Sequence, residues 1–109
     1  MASENVKDVT SENFVEMVGK GVVVLDFWAP WCGPCKMQAP FFETAAKMME
    51  GLATFGKVNI DESVDLAAQF GVRSIPTIVV LKNGAAVDTK IGLTRVAELS
   101  EMVKKVIND

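Results

Sequence analysis

The sequence predicts an α/β fold in which a central mixed sheet of about five strands is flanked by about four helices. β-rich and helical segments alternate along the chain, and such alternation requires helices on both faces of a sheet. The segment from Val22 to Ala29 is apolar on both faces, as expected for a central strand covered on both sides. An Asn83-Gly84 turn joins two later strand-like runs and indicates an antiparallel hairpin.

The first elements of the chain are a strand-like start, a short helix and the central strand. Either Thr10 or Ser11 is expected to cap an amphipathic helix that begins near Phe14. Gly19 and Gly21 bracket the expected end of this helix, because glycine favours the backbone conformation that closes a helix. The central strand from Val22 follows directly.

A long helix follows the central strand and contains two prolines. Its helical spacing extends from Gly33 to Met49. Pro34 suits the first turn, where no backbone N–H is needed, whereas Pro40 lies in the interior and should kink the helix. The apolar side of this helix is expected to carry Met37, Phe41, Ala45, Met48 and Met49.

The rest of the chain supplies a strand, a short helix, the hairpin and a last helix. We expect Ser63 to cap the short helix and Thr94 to cap the last one. The last helix is amphipathic, and the positive charges of lysines near its C-terminus interact favourably with the helix dipole. In chain order these segments are 53–60, 63–70, the hairpin strands 77–81 and 87–91, and a helix that follows residue 94.

Length and composition limit the classes of function that this chain can have. Its 109 residues fit a single domain, 1–109, and 50% of them are hydrophobic, enough for a sizeable core. The net charge of -3 disfavours nucleic-acid binding, which needs a basic face. Because the chain has no histidine, catalysis that needs a histidine base and metal or haem sites that contain histidine are excluded.

The hydrophobic segments are too short to span a membrane, and the polar start of the sequence lacks the apolar core of a signal peptide. Two cysteines in such a chain favour reduced or cycling thiols over a permanent bridge. We therefore expect a cytoplasmic protein with no membrane partner. A mature form trimmed of a targeting segment would have the same sequence features, so that alternative stays open.

Cys32 and Cys35 are the two cysteines of the chain, and three uses of them compete. As a structural staple they would close a very short loop, which stabilises a fold least on the chain-entropy model. A structural zinc site needs more Cys or His ligands than these two residues supply, and Lys36 rules out the haem attachment motif. The third use, a dithiol that opens and closes, is favoured.

The local sequence supports this redox dithiol. Cys32 should lie at the N-terminus of the long helix, where free N–H groups and the helix dipole favour a thiolate. The thiolate is the nucleophile in thiol chemistry. Cys35 follows one turn later on the same face, within reach of Cys32. Pro34 stiffens the turn between them, and Gly33 leaves space for an incoming peptide backbone.

Asp26 places a carboxyl group inside the apolar central strand. If this group is buried, its pKa should rise because the charged form loses its hydration. The residues alone leave open an exposed position at a strand edge instead. The residues alone also leave the position of Lys57 on the next strand open. Its apolar methylene groups can lie along the protein while its charged end reaches solvent.

The sequence resembles the thioredoxin family over essentially the whole chain, through VVLDFWAPWCGPCK, KVNID, FGVRSIPTIVVLKNG and the glycine of KIG. The resemblance implies the thioredoxin fold and the function of a general protein-disulfide reductase and electron carrier with no cofactor of its own. Cys32 would be the nucleophile and Cys35 the resolving thiol, and the pair would alternate between dithiol and disulfide. The implied partners are disulfide-containing target proteins and a thioredoxin reductase, normally an NADPH-dependent flavoprotein.

The resemblance also implies roles for residues near the dithiol. Asp26 would be a buried acid that accepts the proton of the resolving thiol, directly or through water. Lys57 matches a position that modulates this acid. Gly33 and Pro34, between the cysteines, would tune the redox properties of the pair.

A target-binding surface is implied next to the cysteines. The Ile75–Pro76 bond is expected to be cis and to present the Ile75 backbone to an extended target chain. Trp31 is expected to be exposed for docking, whereas Trp28 suits the core. The residues implied for this surface are Trp31, Ile60, Ile75, Pro76 and Gly92.

Ser74 and Leu93 depart from residues common in the family and should adjust which partners fit. Two other functions stay open: a rigid subunit of a larger complex with incidental thiols, and an oxidant or isomerase. The Gly-Pro pair between the cysteines argues against the oxidant. We expect a monomer.

Overall fold

The computed structural model describes residues 4–108, and the remaining residues of the polar N-terminal stretch and the last residue lie outside the described part. The predicted succession of strands and helices is confirmed. The elements in chain order are β1 (Val6–Asp8), α1 (Phe14–Val18), β2 (Val22–Trp28), α2 (Gly33–Met48), β3 (Thr54–Asn59), α3 (Val64–Gln69), β4 (Thr77–Lys82), β5 (Ala85–Ile91) and α4 (Val96–Ile107).

The sheet has five strands in the order β1-β3-β2-β4-β5. β3 runs parallel to both β1 and β2, whereas β4 is antiparallel to β2 and to β5. The sheet is therefore mixed, and β2 occupies its centre, as the two-sided apolar pattern predicted. Residues 23 to 27 are all buried, which is the burial expected of a strand with helices on both sides.

Two hydrophobic cores lie on opposite faces of the sheet. One contains Val24 of β2 together with residues of α2 and α4, among them Phe42 and Leu99. The other contains Leu25 and Phe27 of β2 together with residues of α1 and α3. Since side chains alternate along a strand, Asp26 points to the same face as Val24, toward α2 and α4.

The hairpin between β4 and β5 turns at Asn83 and Gly84, as predicted. Both residues have positive φ, +50° and +87°, which is the conformation that a two-residue hairpin turn of this hand requires. The Asn83 side chain also accepts a hydrogen bond from the backbone N–H of Gly21 at 2.9 Å. This contact joins the turn to the loop that precedes β2.

The predicted apolar side of α2 is partly wrong. Met37 and Met48 are 59% and 58% exposed, although both were expected to face the core. The buried face is rotated toward Gln38, a polar residue that the periodicity excluded. Gln38 is buried because its amide bonds to the backbone of a distant loop. The buried residues of α2 are Cys35, Gln38, Phe42, Ala45 and Ala46.

Two of the predicted helix caps are also wrong. Asn13, and not Thr10 or Ser11, is the residue before the first turn of α1. Thr10 and Asn13 bond to each other, since each backbone N–H donates to the other side chain, at 2.8 and 3.3 Å. Arg95, and not Thr94, precedes α4, because the hydrogen-bonding groups of Thr94 are taken up by other contacts.

Candidate active site

The two cysteines lie just after β2, where α2 begins. Cys32 is the N-cap residue of α2, and Pro34 lies in the first turn. The backbone N–H of Cys35 donates to Sγ of Cys32 at 3.2 Å, so the sulfur satisfies one of the free donors of the helix start. The two sulfurs form a disulfide, and both residues are buried. The structure therefore holds the oxidised form of the pair.

The same geometry has a consequence for the reduced pair. A free sulfur at position 32 lies at the positive end of a helix of 16 residues, with a backbone N–H directed at it. Both features stabilise a negative charge on the sulfur. This arrangement favours the thiolate form of a reduced sulfur at position 32. Gly33 and Pro34 are exposed beside the disulfide, and an added methyl group at Gly33 would meet no atom within 4 Å.

Asp26 is fully buried, which decides between the two positions that the sequence left open. Neither carboxyl oxygen has a hydrogen-bond partner among the described residues. Burial disfavours the charged form and raises the pKa of Asp26 from 3.8 to about 7, while the positive charge of Lys57 acts in the opposite direction. The carboxyl group can therefore exchange a proton near neutral pH.

Lys57 lies beside Asp26 because the two residues are register partners in β3 and β2. Its side chain is buried, and Nζ lies 4.5 Å from the centre of the Trp28 ring, a cation–π contact that holds the ammonium group. A cavity of about 220 Å³ reaches both Lys57 and Cys35. The cavity lining includes Trp28, Ala29, Pro30, Cys35, Lys36, Ala39 and Lys57.

An apolar cluster surrounds the disulfide. Ala29 and the two cysteines pack against Trp28, Ile60 and Ile75. Sγ of Cys32 lies 3.8 Å from the carbonyl oxygen of Ile75. This is a van der Waals contact and not a hydrogen bond, because a disulfide sulfur carries no proton to donate. The structure thus brings Ile60 and Ile75, from two separate loops, to the dithiol.

Pro76 and Gly92 complete this side of the site. The Ile75–Pro76 peptide bond is cis, and Pro76 is buried. The backbone N–H of Gly92 donates to the carbonyl oxygen of Pro76 at 2.9 Å. Gly92 has φ of +96°, in the region that favours glycine over other residues.

Trp31, directly before Cys32 in the chain, is 68% exposed. Its indole Nε1–H donates to the carboxylate of Asp61, with distances of 3.1 and 3.3 Å to the two oxygens. Trp28, in contrast, is half-buried against the disulfide. The sequence reasoning missed Asp61, although its place directly after the β3 segment was a usable signal.

Two negative observations concern the described part of the chain. Within residues 4–108, no three or more Cys, Asp or Glu side chains are grouped so that they could hold a metal ion. No helix in this range is long and apolar enough to cross a membrane.

Comparison with known proteins agrees with this geometry. A family model for thioredoxin matches residues 5–105. Thioredoxin of Bacillus subtilis (strain 168) is 44% identical over 96 residues, which are 88% of this chain and 92% of that protein. Thioredoxin M-type, chloroplastic, of Pisum sativum is 44% identical over 108 residues, 97% of this chain and 63% of that protein. A solved structure of Malassezia sympodialis thioredoxin has a TM-score of 0.85 at 35% identity and covers 98% of this chain and 93% of that one, which confirms the fold that the resemblance implied.

Replacing Asp26 by Asn in the oxidised protein should remove a pH-dependent loss of stability. Because the pKa of Asp26 is 3.8 in an unfolded chain and about 7 in the folded protein, folding takes up a proton between these values. The free energy of unfolding of the wild type should therefore fall as pH rises from about 4 to about 7, by on the order of 4 kcal/mol. Asp26→Asn lacks this titration and should not show this fall.

Chemical denaturation of both proteins between about pH 4 and pH 8 measures the effect. Glu101→Gln removes one exposed carboxylate and serves as the control for net charge. A difference between wild type and Asp26→Asn that stays constant with pH would contradict a buried acid of raised pKa.

Proposed function

Because this chain belongs to the thioredoxin family and is a thiol–disulfide oxidoreductase, we propose that it is a general protein-disulfide reductase with Cys32 as nucleophile and Cys35 as resolving thiol. One observation carries the proposal: the disulfide joins the N-cap residue of α2 to a residue one turn inside that helix. The two cysteines therefore differ in environment. Cys32 precedes the first turn of the helix and its sulfur accepts the N–H of Cys35, which supports its role as the attacking sulfur.

The first step is attack by the Cys32 thiolate on one sulfur of a target disulfide. A new S–S bond forms between Cys32 and the target, the target S–S bond breaks, and the other target sulfur leaves as a thiolate. The N–H of Cys35 donates to the Cys32 sulfur in the oxidised protein. The same N–H would stabilise the thiolate before attack.

The second step releases the target. The Cys35 thiol gives its proton to the Asp26 carboxylate, directly or through water, and the resulting thiolate attacks Sγ of Cys32. The Cys32–Cys35 disulfide forms, and the second target sulfur leaves and is protonated. Two electrons have then passed from the dithiol to the target. A pKa of Asp26 near 7 supports this role, because an efficient base has a pKa near the working pH.

Lys57 is proposed to modulate this proton transfer. Its positive charge lowers the pKa of Asp26 and so opposes the effect of burial. Without this charge the pKa of Asp26 would be higher. Most of the carboxyl group would then already be protonated near neutral pH and could not accept a further proton. The cavity reaches both Cys35 and Lys57, and Lys57 is the register partner of Asp26, which supports a role for Lys57 beside the resolving thiol.

The target is proposed to bind as an extended chain across the apolar surface beside Cys32. Ile75 lies against the reactive sulfur, and its backbone would pair with the target as a short added strand. The large exposed area of Trp31, directly before Cys32 in the chain, supports a contact with protein targets, because tryptophan is enriched at protein interfaces. The residues proposed for target binding are Trp31, Ile60, Ile75, Pro76 and Gly92.

Membership of the family implies disulfide-containing targets and a reductase that regenerates the dithiol. We propose that this reductase is an NADPH-dependent flavoprotein, so that NADPH supplies the two electrons that the target receives. Because regeneration needs a reducing compartment, we also propose that the protein works in the cytoplasm, as a single-domain monomer. Cell fractionation and sedimentation would contradict these points if they found the protein elsewhere or as a stable oligomer.

A coupled assay tests the proposed function. The protein, insulin as a disulfide target, NADPH and a thioredoxin reductase are mixed, and NADPH oxidation and insulin precipitation are followed together. Both should proceed at matching rates, because each insulin disulfide that is reduced consumes the electrons of one NADPH. A double Cys32→Ser and Cys35→Ser variant is the control. Equal activity in the double variant would indicate that the thiols are incidental.

Replacing Cys35 by Ser should trap targets as mixed disulfides, because the first step remains possible and the second does not. The reduced variant is incubated with oxidised targets and analysed by non-reducing electrophoresis. It should form covalent complexes whose mixed disulfide is broken by dithiothreitol. Cys32→Ser is the matched control and should form far fewer complexes. If the two variants trap targets equally, the assigned order of attack is wrong.

Replacing Asp26 by Asn should slow the resolving step about 10- to 100-fold near pH 7 while leaving the first attack nearly unchanged, as expected when a general base is lost. Stopped-flow measurements that separate formation and decay of the mixed disulfide report both rates. The decay rate of the wild type should rise with pH through about 7, where Asp26 loses its proton, and this rise should be absent in the variant. Equal slowing of both steps would argue against the proton-acceptor role.

A further inference from the structure

Gln38 makes an unusual contact on the buried face of α2, one turn after Cys35. Its side chain is fully buried. The NH2 group and the carbonyl oxygen of its amide both form hydrogen bonds with the same residue. Nε2 donates to the carbonyl oxygen of Thr94 at 2.8 Å, and the backbone N–H of Thr94 donates to Oε1 at 2.8 Å. Because one bond needs a donor and the other an acceptor, only one orientation of the amide satisfies both.

Thr94 belongs to the irregular segment between β5 and α4, residues 92–95. Its hydroxyl donates to the carbonyl oxygen of Gly92 at 3.0 Å, and the N–H of Gly92 donates to the carbonyl oxygen of Pro76 at 2.9 Å. A continuous path of hydrogen bonds therefore runs from Gln38 through Thr94 and Gly92 to Pro76. It joins the helix of the dithiol to two residues that are proposed to bind the target.

This path matters because the residues that it joins lie far apart in the chain. Cys32 and Cys35 are carried by α2, whereas Gly92 lies in a segment without a regular hydrogen-bond ladder of its own. An apolar side chain at position 38 would fill the same volume, but it would leave the buried N–H and C=O of Thr94 without their partner. The Gln38 amide fills the volume and also makes two directional hydrogen bonds to the backbone of Thr94. These bonds set where the segment lies relative to the dithiol.

We propose that Gln38 is a positioning residue that holds the 92–94 segment in register with the dithiol and thereby favours protein disulfides over small ones. The inference rests on the target-binding role of Gly92 and Pro76 in the proposed function. An extended protein target would contact the dithiol and the segment with Gly92 together, so its binding depends on their relative position. A small disulfide needs only the sulfur of Cys32, so its reduction is independent of Gln38.

Steady-state kinetics on Gln38→Leu test the proposal with two substrates, insulin and hydroxyethyl disulfide. The value of kcat/KM for insulin should fall about tenfold, mainly through KM, because misplaced contacts weaken target binding and alignment. The rate with hydroxyethyl disulfide should stay within about twofold of the wild type. Hydrogen exchange should show faster exchange of the Thr94 N–H, which loses its acceptor.

Phe42→Leu is the matched control, since Phe42 is fully buried on the same face of α2, one turn further along. This change weakens packing without removing a bond to the 92–94 segment, so the ratio of the two rates should stay at the wild-type value. If Gln38→Leu loses both activities in parallel, or changes the ratio no more than Phe42→Leu does, the proposal is wrong. Gln38→Met, which keeps the length of the side chain, replaces Gln38→Leu if that variant does not fold.

Failure of both Gln38 variants to fold would also overturn the proposal, because Gln38 would then serve stability. Wild-type protein that does not reduce insulin at all would contradict the proposed function itself, and this inference with it. Wild-type protein that is active, with a variant whose substrate ratio is unchanged, contradicts only the role of Gln38.

Discussion

The coverage of β2 on both faces is the constraint on which the rest of the site depends. A strand with helices on both sides has its interior side chains buried, and Asp26, in the middle of β2, has no exposed position available to it. Its carboxyl group is therefore held away from water, without a hydrogen-bond partner among the described residues. The same strand ends at Trp28 and delivers Cys32 to the start of α2. One packing arrangement thus sets the environment of both the buried acid Asp26 and the proposed nucleophile Cys32.

Opposite electrostatic effects act on these two groups. At Cys32, a helix N-terminus and a backbone N–H stabilise negative charge. At Asp26, burial disfavours negative charge and raises the pKa to about 7. A negative charge is favoured at the proposed attacking sulfur, and the proposed proton acceptor, with a pKa near neutral, lies on the strand that leads to it. Lys57 moderates the second effect without cancelling it, since desolvation is the larger contribution to the pKa.

Buried polar residues mark the places where sequence periodicity was least informative. The apolar side of α2 was assigned from methionines, and Met37 and Met48 turned out to be exposed. Gln38 lies in the core instead, because its partner is the backbone of a residue 56 positions away. Thr94 was expected to cap α4 for its hydroxyl group, yet its bonds go to Gln38 and Gly92. A polar residue can be buried wherever the fold supplies its partners, and periodicity does not report those partners.

The sequence by itself determined the features that depend on neighbours along the chain. These are the order of strands and helices, the Asn83-Gly84 turn and the position of both cysteines at a helix start, since backbone preference and side-chain period are local properties. Resemblance to a family then indicated the chemistry of the dithiol. Only the tertiary structure decided that Asp26 is buried and that Gln38 bonds to Thr94. Desolvation and long-range hydrogen bonds exist only once distant segments pack together, so no local pattern specifies them.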